Sequence, residues 1–373
     1  MIPIIYQLRQ AHLNVIVAAD GKALELLKIE FPDLEFIHLP SFTIRYSRKQ
    51  SQTLKMILQV PKIIKGTINE YRWLNNLIKA NPVTIVISDN RYGLWNKKIL
   101  SILISHQIPP LLPAGLKCFE PLMHYILRFF IKSFDRCWIP DIENPSMNLT
   151  GKLSHRYPLP SNTAFMGILS RFYNFSSSHG KKYPVRKYEM LVLLSGPEPQ
   201  RTLLEEIMLE QLRDTEYKTA FIRGLPLSVG HHNMKPSPKI DFYYHLPPEI
   251  FGNLVINADV IICRSGYSTI MDLVELSRPA ILIPTPGQTE QEYLAGYLNE
   301  QGLFHMVSQQ NFNLQKALKS YKLKKYNTLS IPKTKVEKYL LDILKLYDHD
   351  KINRKQSGQK SQIHLCGGMG IQP

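Results

Sequence analysis

Cysteine is scarce in this sequence, and no apolar run is long enough to cross a bilayer. The four cysteines, Cys118, Cys137, Cys263 and Cys366, lack the spacing of a metal site or a redox motif. Their pattern indicates a reducing compartment and no disulfide framework. No window reaches the roughly 18 uninterrupted apolar residues of a transmembrane helix, and the first residues lack the features of a signal peptide. We therefore expect a cytoplasmic protein.

Acidic residues are also few. The 30 Asp and Glu residues are outnumbered by 46 Lys and Arg residues, which gives a formal net charge of +16. This charge suits nucleic acid, an anionic membrane surface or a polyanionic substrate. Because the sequence has neither zinc-binding spacing nor an aromatic motif for single strands, we expect no nucleic-acid partner and no metal site. The 373 residues, 44% of them hydrophobic, suffice for two domains with separate cores.

The most informative stretch covers residues 259–302 and predicts a βαβ unit. Val260–Cys263 is a short apolar run, typical of a strand that is covered on both faces. Arg264-Ser265-Gly266 is a polar turn before a helix, and the apolar run 280–283 predicts a second strand. Two strands joined through a helix in this way are parallel, with a right-handed crossover.

The turn between the first strand and the helix predicts an anion site. Gly266 lets a ligand approach the backbone, and the first helical turn, capped by Ser268 or Thr269, offers free N–H groups and the positive end of a dipole. Asp272 lies about one turn further on, where a carboxylate can take both hydroxyls of a ribose. A second polar cluster, Gln288–Glu292, opens the next helix. The pattern predicts a nucleotide-diphosphate site with room for a sugar, although an ordinary α/β unit with a polar loop has the same spacing.

These residues resemble the donor half of GT-B glycosyltransferases. The resemblance rests on Arg264-Ser265-Gly266-x-x-Thr269, on Asp272, and on Pro284 followed by Gln291-Glu292-Tyr293. It is closest to the bacterial enzymes that add N-acetylglucosamine to the lipid-linked peptidoglycan precursor, and to plant galactolipid synthases. In that family the turn binds the donor diphosphate, an acidic residue binds the ribose, and a Gln pair contacts the sugar. Here Asp272 replaces Glu and Glu292 replaces the second Gln, so the donor sugar stays open between an N-acetylhexosamine and a hexose.

The resemblance implies an α/β fold of the GT-B type, with two Rossmann-like domains facing each other across a cleft. We expect residues 1–175 to form the acceptor-side domain and residues 188–332 the donor domain, with a linker between them. Residues 333–350 predict an amphipathic helix that crosses back to the first domain. Residues 351–373 are polar and Gly-rich, and we expect them to be disordered.

Further donor contacts are expected from two other loops of the second domain. Ser195-Gly196 follows its first predicted strand, and Arg201 is placed to pair with the diphosphate. The resemblance puts His245 and Leu246 in the loop that contacts uracil. The full set of expected donor-binding residues is Ser195, Gly196, Arg201, His245, Leu246, Arg264, Ser265, Gly266, Ser268, Thr269, Asp272, Gln288, Gln291 and Glu292.

Asp89 and His106 are the catalytic candidates. Each follows a predicted strand of the first domain, and ligands bind at the carboxyl ends of strands in open α/β sheets. The alternative for Asp89 is a carboxylate that caps a turn, and the alternative for His106 is a hydrogen-bonded structural histidine. Segments similar to 88–93 and 105–107 recur in the acceptor half of uncharacterised glycosyltransferases.

Residues 122–138 mix large apolar side chains with Arg128 and Lys132 at helical spacing. A basic helix with a wide aromatic face can lie in a membrane interface, and a core helix with two snorkelling cations has the same composition. We favour the core helix.

The chain opens on a helix. The resemblance implies a preceding strand and Gly-rich loop, so we expect an interior strand to be missing and its neighbours to carry unpaired backbone groups. On that basis we expect the first domain to be poorly stable and the chain to be weakly active.

Taken together, the residues and the resemblance predict transfer of a sugar from a UDP-sugar to a lipid-linked or glycan acceptor. The resemblance implies inversion of the anomeric centre, a base on the acceptor side, and no metal or cofactor. It also implies a peripheral location on the inner face of the membrane. The alternatives are a nucleotide-sugar 2-epimerase of the same fold and a non-catalytic module that binds nucleotide sugars or anionic surfaces.

Overall fold

The computed structural model describes residues 1–40, 52–108, 111–112, 114–173, 175, 187–225, 238–244, 246–329, 338–339, 341–343, 345 and 362–366. Only the backbone is described for residues 22, 52–60, 114 and 362–366. The chain divides into two compact units. Unit 1 comprises Met1–Leu169 together with Pro332–Gln372, and unit 2 comprises Ser170–Ile331.

Unit 1 is built on a seven-stranded sheet with the order β2-β1-β13-β3-β4-β5-β6, and every pairing is parallel. Its strands are β1 (Val15–Ala19), β2 (Glu35–His38), β3 (Val83–Asp89), β4 (Leu100–Ile104), β5 (Arg136–Ile139), β6 (Thr163–Phe165) and β13 (Gln362–Cys366). Its helices are α1 (Ile2–Gln10), α2 (Gly21–Glu30), α3 (Gln52–Ala80), a 3-10 helix (Ala114–Phe119), α4 (Glu120–Lys132) and α5 (Lys152–His155).

The predicted strands of unit 1 are confirmed where the sequence shows continuous apolar runs. β1 is buried along its whole length and β3 along all but its last residue. Strands that are covered on both faces read as unbroken runs of β-branched and other apolar residues. Because all strands are parallel, the loops after β1, β3, β4 and β5 share one edge of the sheet.

The slot of the strand expected to be missing is occupied by β13. This strand pairs with β1, where Val17 lies opposite Leu365, and with β3, where Val86 lies opposite His364. The expectation of unpaired backbone groups beside β1 and β3 is therefore wrong, and so is the expectation of disorder for residues 362–366. The segment Gln362–Cys366 lacks the continuous apolar run that predicted β10, and the partners that stabilise β13 lie far away in the sequence.

Unit 2 is built on a six-stranded parallel sheet with the order β12-β11-β10-β7-β8-β9. Its strands are β7 (Met190–Leu193), β8 (Thr219–Ile222), β9 (Ile240–Tyr243), β10 (Val260–Cys263), β11 (Ile281–Leu282) and β12 (His305–Met306). Its helices are α6 (Gln200–Arg213), α7 (Pro248–Asn257), α8 (Tyr267–Glu275), α9 (Thr289–Glu300) and α10 (Leu314–Leu323). The predicted βαβ unit is confirmed as β10, α8 and β11.

One face of the unit 2 sheet packs on α6 and α10. Val192, Phe221 and Ile262 from the strands meet Leu204 and Leu318 from these helices in a buried cluster. Burying large apolar side chains contributes roughly 1.5–3 kcal/mol each, so this cluster fixes the sheet against its helices. The carboxyl ends of the strands thus have a rigid base.

The apolar side of α4 is exposed, which corrects the expectation of a core helix. Leu122, Tyr125 and Phe129 are 55%, 73% and 68% exposed, whereas only Glu120 and Ile131 of this helix are buried. In the described part of the chain, no helix is both long enough and apolar enough to cross a membrane.

A short helical stretch beyond residue 337 lies against unit 1. The ring of Tyr339 packs on Trp138 with centroids 5.4 Å apart, and its hydroxyl donates to the Phe165 carbonyl at 2.7 Å. Most of the predicted helix 333–350, and the predicted linker except Lys187, lie outside the described residues.

Candidate functional site

The strand order of unit 2 creates a crevice between β7 and β10. From β7 the chain adds β8 and β9 on one side, and then returns to add β10, β11 and β12 on the other. The loops after β7 and β10 therefore leave the sheet in opposite directions. Open α/β sheets bind ligands at this switch point, beyond the carboxyl ends of the strands.

The turn after β10 presents backbone N–H groups at this crevice. Gly266 is the N-cap of α8, so neither Ser268 nor Thr269 caps the helix as expected. A Cβ atom added at Gly266 would meet no atom within 4 Å, so there is open space beside the turn. The first N–H groups of a helix have no intrahelical acceptor. Such groups, together with the positive end of the helix dipole, are able to bind an anion.

The loop after β7 approaches the same edge. Gly196 has a φ of +100°, a conformation that residues with a Cβ atom adopt rarely. A Cβ atom at this position would lie 3.7 Å from the hydroxyl oxygen of Thr285, which follows β11. Ser195 is exposed beside it. The expected Ser195-Gly196 loop and the Arg264–Gly266 turn therefore both lie at the carboxyl edge of the unit 2 sheet.

Arg264 is fully buried and binds backbone carbonyls. Its guanidinium donates to Ile283 O (3.1 Å), Pro284 O (3.2 Å) and Gln200 O (2.7 Å). Burial lowers the pKa of Arg264 to about 10. These bonds connect the end of β10 to the end of β11 and to the start of α6. Arg264 therefore fixes the backbone positions of the loops at this edge of the sheet.

Arg201 is also buried and already paired. It donates to Glu198 at 2.7 Å and to Glu205 at 2.7 Å, and Glu205 in turn accepts from Arg223 at 2.6 Å. Buried charges are stabilised by such partners. Arg201 and Arg264 are therefore both engaged in contacts within the protein.

Asp272 lies one turn along α8, as expected, but its carboxylate is engaged. It accepts from the Ser170 hydroxyl (2.8 Å), the Arg171 backbone N–H (3.2 Å) and the Arg171 Nε (2.9 Å). Both partners stand at the start of unit 2. Binding of a ribose by Asp272 therefore requires a change in these hydrogen bonds.

The cluster at the start of α9 is partly engaged and partly open. The Gln291 side-chain oxygen accepts from Thr285 N–H at 3.0 Å, and Glu292 accepts from Gly287 N–H at 2.7 Å. In contrast, Gln288 is 1% exposed, and neither atom of its amide has a partner among the described residues. The Thr285 hydroxyl is likewise buried without a partner.

Thr285 was missed by the sequence reasoning. Its position directly after the strand-ending Pro284 was the available signal, because residues at that point face the ligand side of a parallel sheet. Of the remaining expected donor residues, Ser268 is exposed, and Thr269 and Leu246 are half-buried. His245 lies outside the described residues.

In unit 1, Asp89 is the last residue of β3 and His106 follows β4, so both lie at the carboxyl edge of that sheet. Asp89 is partly exposed, 4.0 Å from the Met1 amino group, and His106 is 8% exposed. Their catalytic roles stay predictions.

Residues 249–346 match the model of the glycosyltransferase family 28 C-terminal domain. Two curated relatives are named UDP-N-acetylglucosamine--N-acetylmuramyl-(pentapeptide) pyrophosphoryl-undecaprenol N-acetylglucosamine transferase. The protein from Caldanaerobacter subterraneus subsp. tengcongensis is 38% identical over 61 residues, 16% of this chain and 17% of the relative. The one from Desulforudis audaxviator is 45% identical over 62 residues, 16% of each chain. The matches thus cover about a sixth of these relatives, and they confirm the expected resemblance of the donor-side unit.

Solved structures show the fold over most of the chain. The spinosyn rhamnosyltransferase SpnG has a TM-score of 0.55 at 12% identity, covering 82% of this chain and 81% of its own. The calicheamicin glycosyltransferase CalG4 has a TM-score of 0.52 at 12% identity, covering 84% and 91%. The Methanocaldococcus jannaschii UDP-GlcNAc 2-epimerase has a TM-score of 0.50 at 14% identity, covering 89% and 99%. The expected α/β fold of the GT-B type is confirmed.

Proposed function

We propose that this protein transfers a hexose or N-acetylhexosamine from a UDP-sugar to a lipid-linked or glycan acceptor. The observation that carries the proposal is the turn at the β7–β10 switch point, where Gly266 opens α8 beside free space. A nucleotide diphosphate fits a helix N-terminus at such a position. The uridine and the N-acetylglucosamine come from the names of the relatives that match this segment.

We infer that the backbone of α8 stabilises the leaving diphosphate without a metal or cofactor. Preorganised N–H groups aimed at developing charge lower the barrier, and removing one such donor typically costs about 2.7–4 kcal/mol. Arg201 and Arg264 support this indirectly, because their own contacts hold the loops and leave the charge to the N–H groups. Activity is therefore expected to survive a chelator.

Thr285 and Gln288 support a polar ligand at the same site. Buried polar atoms without a partner cost roughly 1–3 kcal/mol each, and native proteins contain few of them. Hydroxyls or phosphate oxygens of a donor would satisfy the Thr285 hydroxyl and the Gln288 amide. Gln291 and Glu292 hold the loop that carries both residues, and we infer that they act on the sugar through it.

The role of the α8 turn is tested at Ser268, which is exposed in the first turn of the helix. Ser268→Pro removes one backbone N–H group and the hydroxyl, whereas Ser268→Ala removes the hydroxyl alone. Proline is tolerated in the first turn because that N–H group has no intrahelical acceptor. Loss of a hydrogen bond to a charged group costs about 1.5–3 kcal/mol, or roughly 10- to 150-fold in affinity for UDP by calorimetry. Equal affinity of both variants would contradict the backbone site.

Turnover separates the proposal from its rivals. UDP release from UDP-N-acetylglucosamine should rise when the acceptor named for the relatives, N-acetylmuramyl-pentapeptide on a pyrophosphoryl polyprenol, is added. Appearance of the C2-epimeric UDP-sugar without an acceptor would favour a 2-epimerase. Tight UDP binding without turnover would favour a non-catalytic module.

We also infer that α4 places the protein on the inner face of a membrane. Its exposed Leu122, Tyr125 and Phe129 are flanked by the exposed basic residues Lys117 and Lys132. Apolar and aromatic side chains insert at the boundary between headgroups and acyl chains, and cations pair with anionic lipids. A lipid-linked acceptor would be met at such a surface.

Vesicle binding tests this surface. The triple variant Leu122→Ser, Tyr125→Ser, Phe129→Ser should lose binding to vesicles of phosphatidylglycerol and phosphatidylcholine by at least about 10-fold, because the apolar area contributes about 25 cal/mol per Å². The matched control is Ile68→Ser, which removes an apolar side chain that is 45% exposed on α3. Equal binding of the triple variant and the control would refute the surface.

A further inference from the structure

The loop after β5 is built around one buried carboxylate. Asp141 has no exposed surface. Its Oδ1 accepts from the backbone N–H groups of Ile142 and Leu149, both at 2.8 Å, and its Oδ2 accepts from the Thr150 N–H at 3.1 Å and from the Thr150 hydroxyl. A carboxylate has about four lone-pair sites. These four donors already satisfy the buried charge.

His155 adds a fifth contact to this carboxylate. Its Nε2 lies 3.2 Å from Asp141 Oδ2, at the end of the short helix α5. Since Asp141 needs no further donor, the contact does more for His155 than for Asp141. A carboxylate on one imidazole nitrogen fixes the neutral tautomer with its proton there, and it stabilises the imidazolium if the ring gains a second proton.

The orientation of the ring is fixed from a second side. His155 stacks on Phe165, the last residue of β6, with centroids 4.7 Å apart and an interplanar angle of 18°. Its side chain is 14% exposed, and its hydrogen bond to Asp141 uses Nε2 and not Nδ1. With the proton on Nε2, the Nδ1 lone pair is free to accept a proton from a bound molecule.

The pair lies at the ligand-binding edge of unit 1. Asp141 follows β5 by two residues, and the Ile108 N–H donates to the Leu153 carbonyl at 2.9 Å. This bond joins α5 to the loop that follows β4. The carboxyl ends of β4, β5 and β6 thus converge on His155, where open α/β sheets bind their ligands.

We propose that His155 is the base that deprotonates the acceptor hydroxyl and that Asp141 is its positioning residue. The inference rests on the proposed glycosyl transfer. The acceptor O–H bond breaks and its proton moves to Nδ1 of His155. The acceptor oxygen forms a bond to the anomeric carbon, and the bond from that carbon to the diphosphate oxygen breaks, with the electron pair leaving on UDP.

His155→Gln distinguishes a base from a structural histidine, because the Gln amide can still donate to Asp141 but cannot accept a proton. We expect kcat for UDP release from UDP-N-acetylglucosamine to fall by about 100- to 10,000-fold, the usual contribution of a general base. The UDP affinity and the unfolding midpoint should stay at wild-type values. His155→Ala should regain part of its rate with added imidazole. His38→Gln, at an exposed histidine of β2, is the matched control.

The outcomes separate this proposal from the proposed function. Wild-type kcat in His155→Gln overturns the role of His155 and leaves Asp89 and His106 as candidates for the base. A rate loss in His155→Ala that Gln restores and imidazole does not would mean a structural role and would also overturn it. If the wild-type protein releases no UDP, with the lipid acceptor or with water, the proposed function fails and the base fails with it.

Discussion

The Asp272 carboxylate is bound to Ser170 and Arg171, and its role in donor binding can be tested against that pair. We expect Asp272→Ala to weaken UDP binding by about one to two orders of magnitude, because it loses charge-assisted hydrogen bonds to the ribose. Arg171→Ala breaks the same ion pair and releases Oδ2 of Asp272 for the ligand, while the Ser170 hydroxyl and the backbone N–H of residue 171 still donate to Oδ1. It should bind UDP at least as tightly as the wild-type protein in calorimetry.

Stability measurements provide the control for this pair. Both variants lose the ion pair, but Asp272→Ala also loses the hydrogen bonds from the Ser170 hydroxyl and the Arg171 backbone N–H, so its unfolding midpoint in urea should fall further than that of Arg171→Ala. Equal losses of UDP affinity in the two variants would mean that Asp272 acts only by holding Arg171.

Glu275 gives unit 2 a pH dependence. Burial, and then the nearby charge of Asp272, raises the pKa of this carboxyl group above its ordinary value of 4.5. The folded state therefore holds the proton more tightly than the unfolded state. The stability it contributes is present below pH 4.5 and is lost as the pH rises through the raised pKa.

We expect Glu275→Gln to be more stable than the wild-type protein at pH 7.5, by roughly 1 kcal/mol, the scale of one poorly solvated polar group. The difference should vanish near pH 4 in urea titrations. Glu300→Gln, at an exposed residue at the end of α9, is the matched control and should show no such trend. If Glu275→Gln differed from the wild-type protein in stability by the same amount at both pH values, titration of Glu275 would not be the source of the pH dependence.

For single residues, the sequence predicted their place in the secondary structure better than it predicted their hydrogen-bond partners. It located Arg264, Gly266 and Asp272 at the turn where the structure places them, since a strand followed by a glycine and a helix is a local pattern. It could not predict that Arg264 binds the carbonyls of Gln200 and Pro284. Such partners depend on which loops the fold brings together.

Among the elements, β13 has the clearest consequence for stability. A proline at His364 removes a backbone N–H from a strand that is paired on both sides. We expect unit 1 to lose at least about 1–3 kcal/mol, the cost of one unsatisfied buried group. Glu35→Pro, at the first residue of the edge strand β2, is the control and should cost much less.

The two units can be followed separately in this experiment. All three tryptophans, Trp73, Trp95 and Trp138, lie in unit 1, so tryptophan fluorescence reports its unfolding. Under the proposed function, UDP binding reports the folding of unit 2. His364→Pro should unfold at lower urea by fluorescence while its UDP affinity stays unchanged. An unchanged fluorescence midpoint would show that β13 adds nothing to the sheet.

Elements with a continuous apolar run were predictable, and elements that depend on distant partners were not. β3, which precedes Asp89, and β10 were located from Val- and Ile-rich runs. β13 was missed because its support comes from β1 and β3. α4 was located but assigned to the core, because periodicity reports which residues share a face and not whether anything covers it.

For the whole molecule, the net charge of +16 predicts how salt affects its two proposed ligands. The Debye length falls from about 10 Å at 0.1 M salt to about 3 Å at 1 M. Binding to anionic vesicles should therefore weaken strongly over this range. UDP affinity should change by less than about 3-fold, because hydrogen bonds to the α8 backbone are short-ranged. If salt weakened vesicle binding and UDP affinity equally, the proposed binding of UDP by the α8 backbone would be contradicted.

The length and the hydrophobic content indicated two domains, and the α/β fold of the GT-B type was implied by the resemblance of residues 264–293. The sequence did not reveal the strand order, which decides where the crevice lies. In unit 2 the chain returns from β9 to place β10 on the other side of β7, and this return creates the switch point. The sequence predicted β10 as a strand, but it did not predict that β10 pairs with β7.

The position of β13 also sets the order in which the nascent chain can fold. Strands β1 and β3 are translated before unit 2, but the strand that lies between them is translated after unit 2. Unit 2 emerges complete while the sheet of unit 1 still has a gap. During that interval β1 and β3 present unpaired edges, which are sites of misassociation. We expect newly made unit 1 to depend on chaperones for longer than unit 2, although its residues are translated first.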